Sequence, residues 1–299
     1  MPPVAAASIA GAFLFDLAFR EFPERWHPVV AYGAVLGWID RDWAAPRLVG
    51  TVAAVGLPIT AALAIGVLTA IAGHVHAAAV VAVVSGVLFA ATSRRLLIDT
   101  ARQVIELSAD DPARARERLP ALVGRDPAAL SAAEIRSAAV ESAAENLADG
   151  LVAPLLAFVV FAWWLPLAAG AAAFVKAVNT GDSMFGYRSH PLGWAFARVD
   201  DLVMWIPARL SAALVAVLAA NPSVVRQAVR WAPETDSPNA GWPMAAVAAA
   251  IETRLEKPGA YVLNPDAALP TVAQAQEGVR LVNRAGVLAF AGAAVAAWY

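Results

Sequence analysis

Long apolar runs alternate along this chain with shorter stretches where the charges collect, and the run lengths are those of membrane helices rather than of strands. Pro3 to Phe19 is apolar and just long enough to enter a bilayer, with Asp16 as a charge near its end. Val49 to Gly73 carries no charge over a length that, as a helix, spans about 30 Å of hydrocarbon. Ala77 to Thr92 reads as a second, shorter span. Gly150 to Val175 is again uncharged, but Pro154 and Pro166 make it either one kinked span or two half-helices that dip in and return. Leu202 to Ala220 supplies a further segment, broken at Pro207, with Arg209 near its start where a long side chain can snorkel. Ala285 to Tyr299 ends the chain as a short apolar anchor.

The connectors carry their own helix signals. Arg20 to Arg47 holds His27-Pro28, Asp40, Asp42 and four arginines, and Arg94 to Asn146 holds eight arginines. The turn containing Gly73, His74 and His76 has none, so the positive-inside bias places both arginine-bearing connectors in the cytoplasm. The His74-x-His76 pair has metal-ligand spacing, but no third ligand sits nearby, and the two histidines read rather as solvated residues of a membrane-edge turn. Asp111-Pro112 and Asp126-Pro127 look like N-caps followed by first-turn prolines, and Ser131-x-x-Glu134 is a capping box that opens a helix over about Ala132 to Ala148. Asn221 to Arg284 includes Ser237-Pro238-Asn239, a helix from Trp242 to Glu256, the breaker Pro258-Gly259, and an amphipathic stretch over Pro270 to Arg284. The expected fold is therefore all-α: a polytopic helical protein, multi-pass in the cell membrane. Residues 1–299 would form one membrane-embedded domain, with polar loops over roughly 20–47, 94–149, 176–201 and 221–284.

Composition sharpens this picture. The chain is 60% hydrophobic and only 15% charged, with a mean hydropathy of +0.61, which belongs to membrane proteins. A net charge of −2 gives no basic footprint for nucleic acid. The absence of cysteine excludes disulfides, thiolate zinc sites and a cysteine nucleophile. Met1 to Arg20 lacks a basic leader and a small-residue cleavage site, so it reads as a retained first membrane segment. There is no internal repeat, and no P-loop, dinucleotide-binding or H-E-x-x-H motif.

The candidate chemistry centres on Lys176 to Leu210. Lys176, Asp182, Arg188, Arg198, Asp200, Asp201 and Arg209 need partners, water or a ligand if they lie near a bilayer. Lys176, Asn179, Asp182 and Ser183 fall at helical spacing, although Asn179-Thr180-Gly181 also fits a turn exposing backbone N–H groups. Such a group suits phosphate oxygens, with Asp182 available to a metal; an internal salt-bridge network is the other reading. Glu141, Glu145 and Asp149, four apart, share a helix face with Ser142 and Asn146 beside them. That face suits Mg²⁺ or an ammonium group, or is a solvated edge near Arg125 and Arg136. Ser237-Pro238-Asn239 precedes a helix N-terminus, which is either an anion site or an ordinary cap.

Several blocks together are more specific than any of these. Glu141 to Gly150 (ESAAENLADG), Lys176 to Met184 (KAVNTGDSM) with Gly186-Tyr187, Ala197-Arg198-Val199-Asp200-Asp201 and Pro207-Ala208-Arg209-Leu210 resemble the cobalamin-biosynthesis adenosylcobinamide-phosphate synthase family. His27-Pro28, Val123-Gly124-Arg125-Asp126, Ser237-Pro238-Asn239 with Gly241 to Met244, and Arg254 to Gly259 follow in the family's order, so the resemblance covers nearly the whole chain. There are two departures. Arg20-Glu21-Phe22-Pro23 stands where the family has a glycine followed by an acidic residue and proline, and Asn264 stands where glycine is usual.

The resemblance implies a membrane enzyme that joins aminopropanol, or its O-phosphate, to a propionate carboxyl of adenosylcobyric acid, using ATP and Mg²⁺. On that basis Asp182, Asp201 and Asp149 are expected at the metal. Lys176, Arg198 and Arg209 would offset negative charge, and Asp200 or Glu145 would act as general base. Asn146, Asn179, Ser183, Asn239 and Lys257 are expected to bind substrate in a broad apolar cavity. Partners would be the corrinoid, the amine, the bilayer and other membrane-bound enzymes of the pathway. The competing expectation is a corrinoid transporter or non-catalytic scaffold, kept open by the proline-interrupted run.

Overall fold

In hydrocarbon every backbone N–H and C=O has to be bonded within its own segment, and the apolar runs accordingly form helices. The computed structural model describes residues 2–92, 94–187 and 190–299; Arg188 lies outside them. The first half runs α1 (Pro2–Phe19), α2 (Pro28–Ile39), α3 (Pro46–Val75), α4 (Ala77–Ala91), α5 (Arg94–Asp110), α6 (Pro112–Arg118) and α7 (Ala132–Leu147). The second runs α8 (Ala153–Val160), α9 (Leu165–Phe185), α10 (Gly193–Val203), α11 (Trp205–Leu218), α12 (Ser223–Trp231), α13 (Gly241–Ala250) and α14 (Val272–Ala296). Between α13 and α14, β1 (Leu255–Lys257) and β2 (Tyr261–Leu263) form an antiparallel hairpin. Among the described residues, Pro2–Phe19, Pro46–Val75, Ala77–Asp110, Ala132–Val160 and Val272–Ala296 are long and apolar enough to cross a membrane. The chain is an all-α polytopic membrane protein.

The chain divides into two compact units, the first comprising residues 1–93, 149–204 and 289–299, and the second residues 94–148 and 205–288. In the first unit α9 is central, packed against α3, α8 and α10, while α1 lies along α4. Small residues permit that closeness: a β-carbon at Gly170 of α9 would stand 2.7 Å from the Ala62 carbonyl oxygen of α3. In the second unit α13 packs on α7, α11 and α12, and α5 lies along α7.

The capping box forms as expected, with Ser131 Oγ accepting from Glu134 N–H and Glu134 Oε2 accepting from Ser131 N–H. Asp111 caps α6 in the same way. Asp126-Pro127 does not start a helix. Asp126 Oδ1 accepts from the Ala128 N–H, which holds a turn, and helix formation waits for Ser131.

The proline-interrupted run resolves into two helices: Pro154 and Pro166 both sit in first turns, where their missing N–H is harmless, and α8 packs back along α9. Lys176 to Phe185 continue α9, with no turn at Asn179 to Gly181, because Val175, Val178, Gly181 and Phe185 extend its buried stripe at helical spacing. Pro207 does not break a helix either. The break falls at Met204, and Pro207 lies in the first turn of α11. The helix expected over Trp242 to Glu256 stops at Ala250, with Glu252 at φ 53°, and the chain enters the hairpin instead. The amphipathic stretch and the terminal anchor merge into α14, since no breaker separates Arg284 from Ala285.

Both departures from the resembled family's pattern fall on left-handed backbone, Arg20 at φ 63° and Asn264 at φ 54°. Glycine adopts that region freely; asparagine tolerates it better than arginine does. Replacing Arg20 with glycine should therefore raise the thermal unfolding temperature of the detergent-purified protein, by up to about 1 kcal/mol in stability. Asn264→Gly should change it less, and an unfolding temperature lowered by Arg20→Gly would contradict the strain.

Candidate functional site

Within the first unit, the last turns of α9 carry Lys176, Asn179, Asp182 and Ser183, and α10 carries Arg198, Asp200 and Asp201. The two helices meet closely at Gly181, where a β-carbon would stand 2.5 Å from the Phe196 ring. That approach brings Asp182 and Asp201 near enough for their like charges to act on each other. Arg198 Nη1 donates to Asp201 Oδ2 at 3.2 Å. Because Arg198 is largely exposed, this pair orients Asp201 more than it stabilises the fold. Asp200, the neighbouring residue on α10, is buried. Ser183 Oγ donates to the Asn179 carbonyl at 2.9 Å, which leaves its lone pairs as acceptors. Lys176 is half-buried, with Glu21 and Asp149 as its electrostatic neighbours. Glu21 in turn meets His27 Nε2 at 2.7 Å.

Among the described residues no three or more His, Cys, Asp or Glu side chains are grouped to hold a metal ion. Mg²⁺ is commonly held by one or two carboxylates, with substrate phosphate oxygens and water completing its shell. Asp182 and Asp201, on facing helices, fit that description.

Within the second unit, the carboxylate face expected on α7 divides. Glu141 is buried and fully engaged: Arg125 Nη2 donates to Oε2 at 2.7 Å, Tyr261 Oη to Oε2 at 2.8 Å, and Ser137 Oγ to Oε1 at 2.6 Å. Ser137 Oγ also accepts from the Glu256 N–H at 2.8 Å. This network ties α7 to the hairpin and to the loop carrying Arg125. Burial, then the negative charge of Glu141, push the Tyr261 phenol well above its ordinary value, so it remains a neutral donor. Glu145 is half-buried one turn further on. Asp149 lies beyond α7, in a π-helical turn over Ala148–Val152, and belongs to the first unit. Asn146 Nδ2 donates to the Ser142 carbonyl at 3.0 Å.

Arg209 does not snorkel freely. Its guanidinium lies 4.2 Å from the Trp205 ring and 4.6 Å from the Trp242 ring. Its Nη1 donates to the Trp205 carbonyl at 2.7 Å and to Asn239 Oδ1 at 3.0 Å. Arg209 and Asn239 are thus brought together as a fixed cationic fork that suits phosphate or carboxylate oxygens. Ser237 Oγ accepts from the N–H groups of Asn239 and Ala240 and shapes the entry to α13. Lys257 stands apart, exposed at the end of β1.

Sequence reasoning assigned no role to Ser137, Tyr261 or Glu21. The signal for Arg125 was present, since it lies in one of the blocks that carry the family resemblance; its partner Glu141 lies in another.

That resemblance is borne out. The family profile described as CobD/Cbib protein matches residues 9–286. The chain is 36% identical over 293 residues to "Probable cobalamin biosynthesis protein CobD" of Methanothrix thermoacetophila, covering 93% of this chain and 92% of the relative. It is 37% identical over 286 residues to "Cobalamin biosynthesis protein CobD" of Geobacter metallireducens, covering 90% and 86%. It is 38% identical over 259 residues to the protein of the same name from Mycobacterium tuberculosis, covering 83% and 79%. No solved structure matches the chain.

Arg125→Met should strand Glu141 as a buried, unbalanced charge and cost about 3–5 kcal/mol, seen as a large fall in thermal unfolding temperature. Arg125→Met combined with Glu141→Leu should recover much of that loss. Additive losses in the double variant would refute the coupling.

Proposed function

The chain belongs to the CobD/Cbib family, and on that premise we propose that it is a cell-membrane enzyme of cobalamin biosynthesis. In this reading it joins a carboxyl group of adenosylcobyric acid, through an amide bond, to (R)-1-aminopropan-2-ol or its O-phosphate. One juxtaposition supports the assignment of roles: Asp182 and Asp201, from different helices, act on each other, and Arg198 is hydrogen-bonded to the second. Two acids placed together beside a cation at the end of apolar helices are what a phosphate-handling Mg²⁺ site requires.

A carboxylate does not condense with an amine as it stands; ATP, with Mg²⁺, supplies the activation that turns a carboxylate oxygen into a leaving group. Asp182 and Asp201 would hold the metal; Asp149, expected there from the sequence, is not grouped with them among the described residues. Lys176 and Arg198 would offset the negative charge that accumulates during activation. Asn179 and Ser183 would orient the substrate through their amide and hydroxyl groups. In the second unit, Arg209 with Asn239 offers a prepositioned anchor for an anionic group, Lys257 a mobile cation, and Asn146 a hydrogen-bonding amide. As the new C–N bond forms, the amine gives up its proton to a carboxylate, Asp200 or Glu145.

The reading is tested by incubating detergent-solubilised protein with adenosylcobyric acid, aminopropanol phosphate and MgATP and weighing the corrinoid. A mass gain equal to amide condensation is expected. Asp182→Asn and Asp201→Asn should each lower turnover by at least about 100-fold while unfolding at close to the wild-type temperature. A corrinoid that binds but emerges unchanged would mark a transporter or scaffold instead, and wild-type turnover in both variants would remove the metal role.

A further inference from the structure

A cavity of about 220 Å³ lies inside the first unit, between α2, α3, α4 and α9. Its walls are alanine-rich and aliphatic, with Ala61, Ala173 and Ala177 among them, and two donor groups interrupt them: Tyr32 from α2 and Lys176 from α9. Tyr32 Oη is buried and has no hydrogen-bond partner among the described residues. No hydrogen bond or ion pair of the Lys176 ammonium is found among the described residues; Glu21 and Asp149 act on it through their charge. Glu21 is itself occupied by His27 and by the Phe22 N–H. A third polar group, the Thr180 hydroxyl, spends its proton on the Lys176 carbonyl at 2.8 Å.

A buried donor without an acceptor, as Tyr32 Oη is, is costly, and a ligand that offers an acceptor to it and to the half-buried Lys176 ammonium removes that cost. The chemistry of that ligand follows from the walls. An ammonium group is disfavoured because it repeats the charge of Lys176 and offers nothing for Tyr32 or Lys176 to donate to. A phosphate monoester carries close to two charges and three strong acceptor oxygens, more than one cation and one hydroxyl among alanines can satisfy. A carboxylate carries one charge, matches one ammonium and one hydroxyl, and can arrive on an aliphatic stem that the alanines cover. Size agrees: an apolar cavity of about 150 Å³ takes benzene, so this one has room for an arm of several methylene groups with its carboxylate.

We propose that this cavity receives the aliphatic carboxylate arm of the acid substrate, with its methylenes against Ala61, Ala173 and Ala177 and its carboxylate oxygens accepting from Lys176 Nζ and Tyr32 Oη. The inference rests on the reading that the chain condenses a carboxylic acid with an amine, and it adds a binding role for Tyr32 and a selection for the acid component over the amine.

Equilibrium dialysis of adenosylcobyric acid against the full detergent-solubilised chain, read by corrinoid absorbance, tests the proposal without requiring turnover. Tyr32→Phe removes one donor to a charged oxygen and should weaken binding about tenfold. Ala173→Leu fills the cavity and should weaken it at least as much. In turnover, both should raise KM for the acid and leave KM for the amine unchanged. Affinity for the acid that stays at the wild-type value in either folded variant overturns the proposal, as does a rise in the amine's KM alone or a wild-type protein that does not bind the acid. Binding that responds as expected in a protein that forms no amide would instead sink the reaction assignment and leave the carboxylate site standing.

Discussion

The close packing of α9 is the constraint on which the first unit depends. Nothing in hydrocarbon drives apolar helices together as water does, so they are held by surface fit and by backbones that can approach. Gly170 lets α9 come against the Ala62 carbonyl of α3, and Gly181 lets the ring of Phe196 on α10 approach it closely. Because one helix is gripped on both sides, its polar end is not free to fray into a loop. Lys176, Asn179, Asp182 and Ser183 are therefore carried on a rigid element. Directional chemistry is better served by such an element than by a mobile connector.

Charges in this chain are handled in two different ways. Glu141 has its carboxylate engaged by a guanidinium, a phenol and a hydroxyl, and a group so fully committed holds helix, hairpin and loop in register. Asp182 and Asp201 have the opposite arrangement, with like charges set near one another and the exposed Arg198 hydrogen-bonded to the second. Such a pair is unfavourable by itself and becomes favourable when a cation arrives. Arg209 is intermediate: two indoles and an amide fix its position while its charge remains unpaired by any carboxylate among these contacts.

The same contrast accounts for the alanine-lined cavity. Alanine on α3, α4 and α9 allows the helices to approach, and where Lys176 and Tyr32 project between them the space is neither filled by a larger side chain nor satisfied by a neighbouring acceptor. Cores that serve only stability close such gaps.

How much of this was legible beforehand depended on distance along the chain. The uncharged runs, the capping box at Ser131 and the cap at Asp111 were readable because run length and local hydrogen bonding are properties of contiguous residues. Family membership was readable because many short blocks occur in one order. Local signals left helix and turn both open at Asn179-Thr180-Gly181, and the buried stripe of α9 decided for helix; at Pro207 they misled, since it reads as a break although it lies in a first turn. The pairing of Glu141 with Arg125 and Tyr261, 16 and 120 residues away, the opposition of Asp182 and Asp201, and the meeting of Tyr32 with Lys176 were decided only by the folded chain. Residues so far apart come together through the crossing of helices, and no pattern in a linear string states which faces will cross.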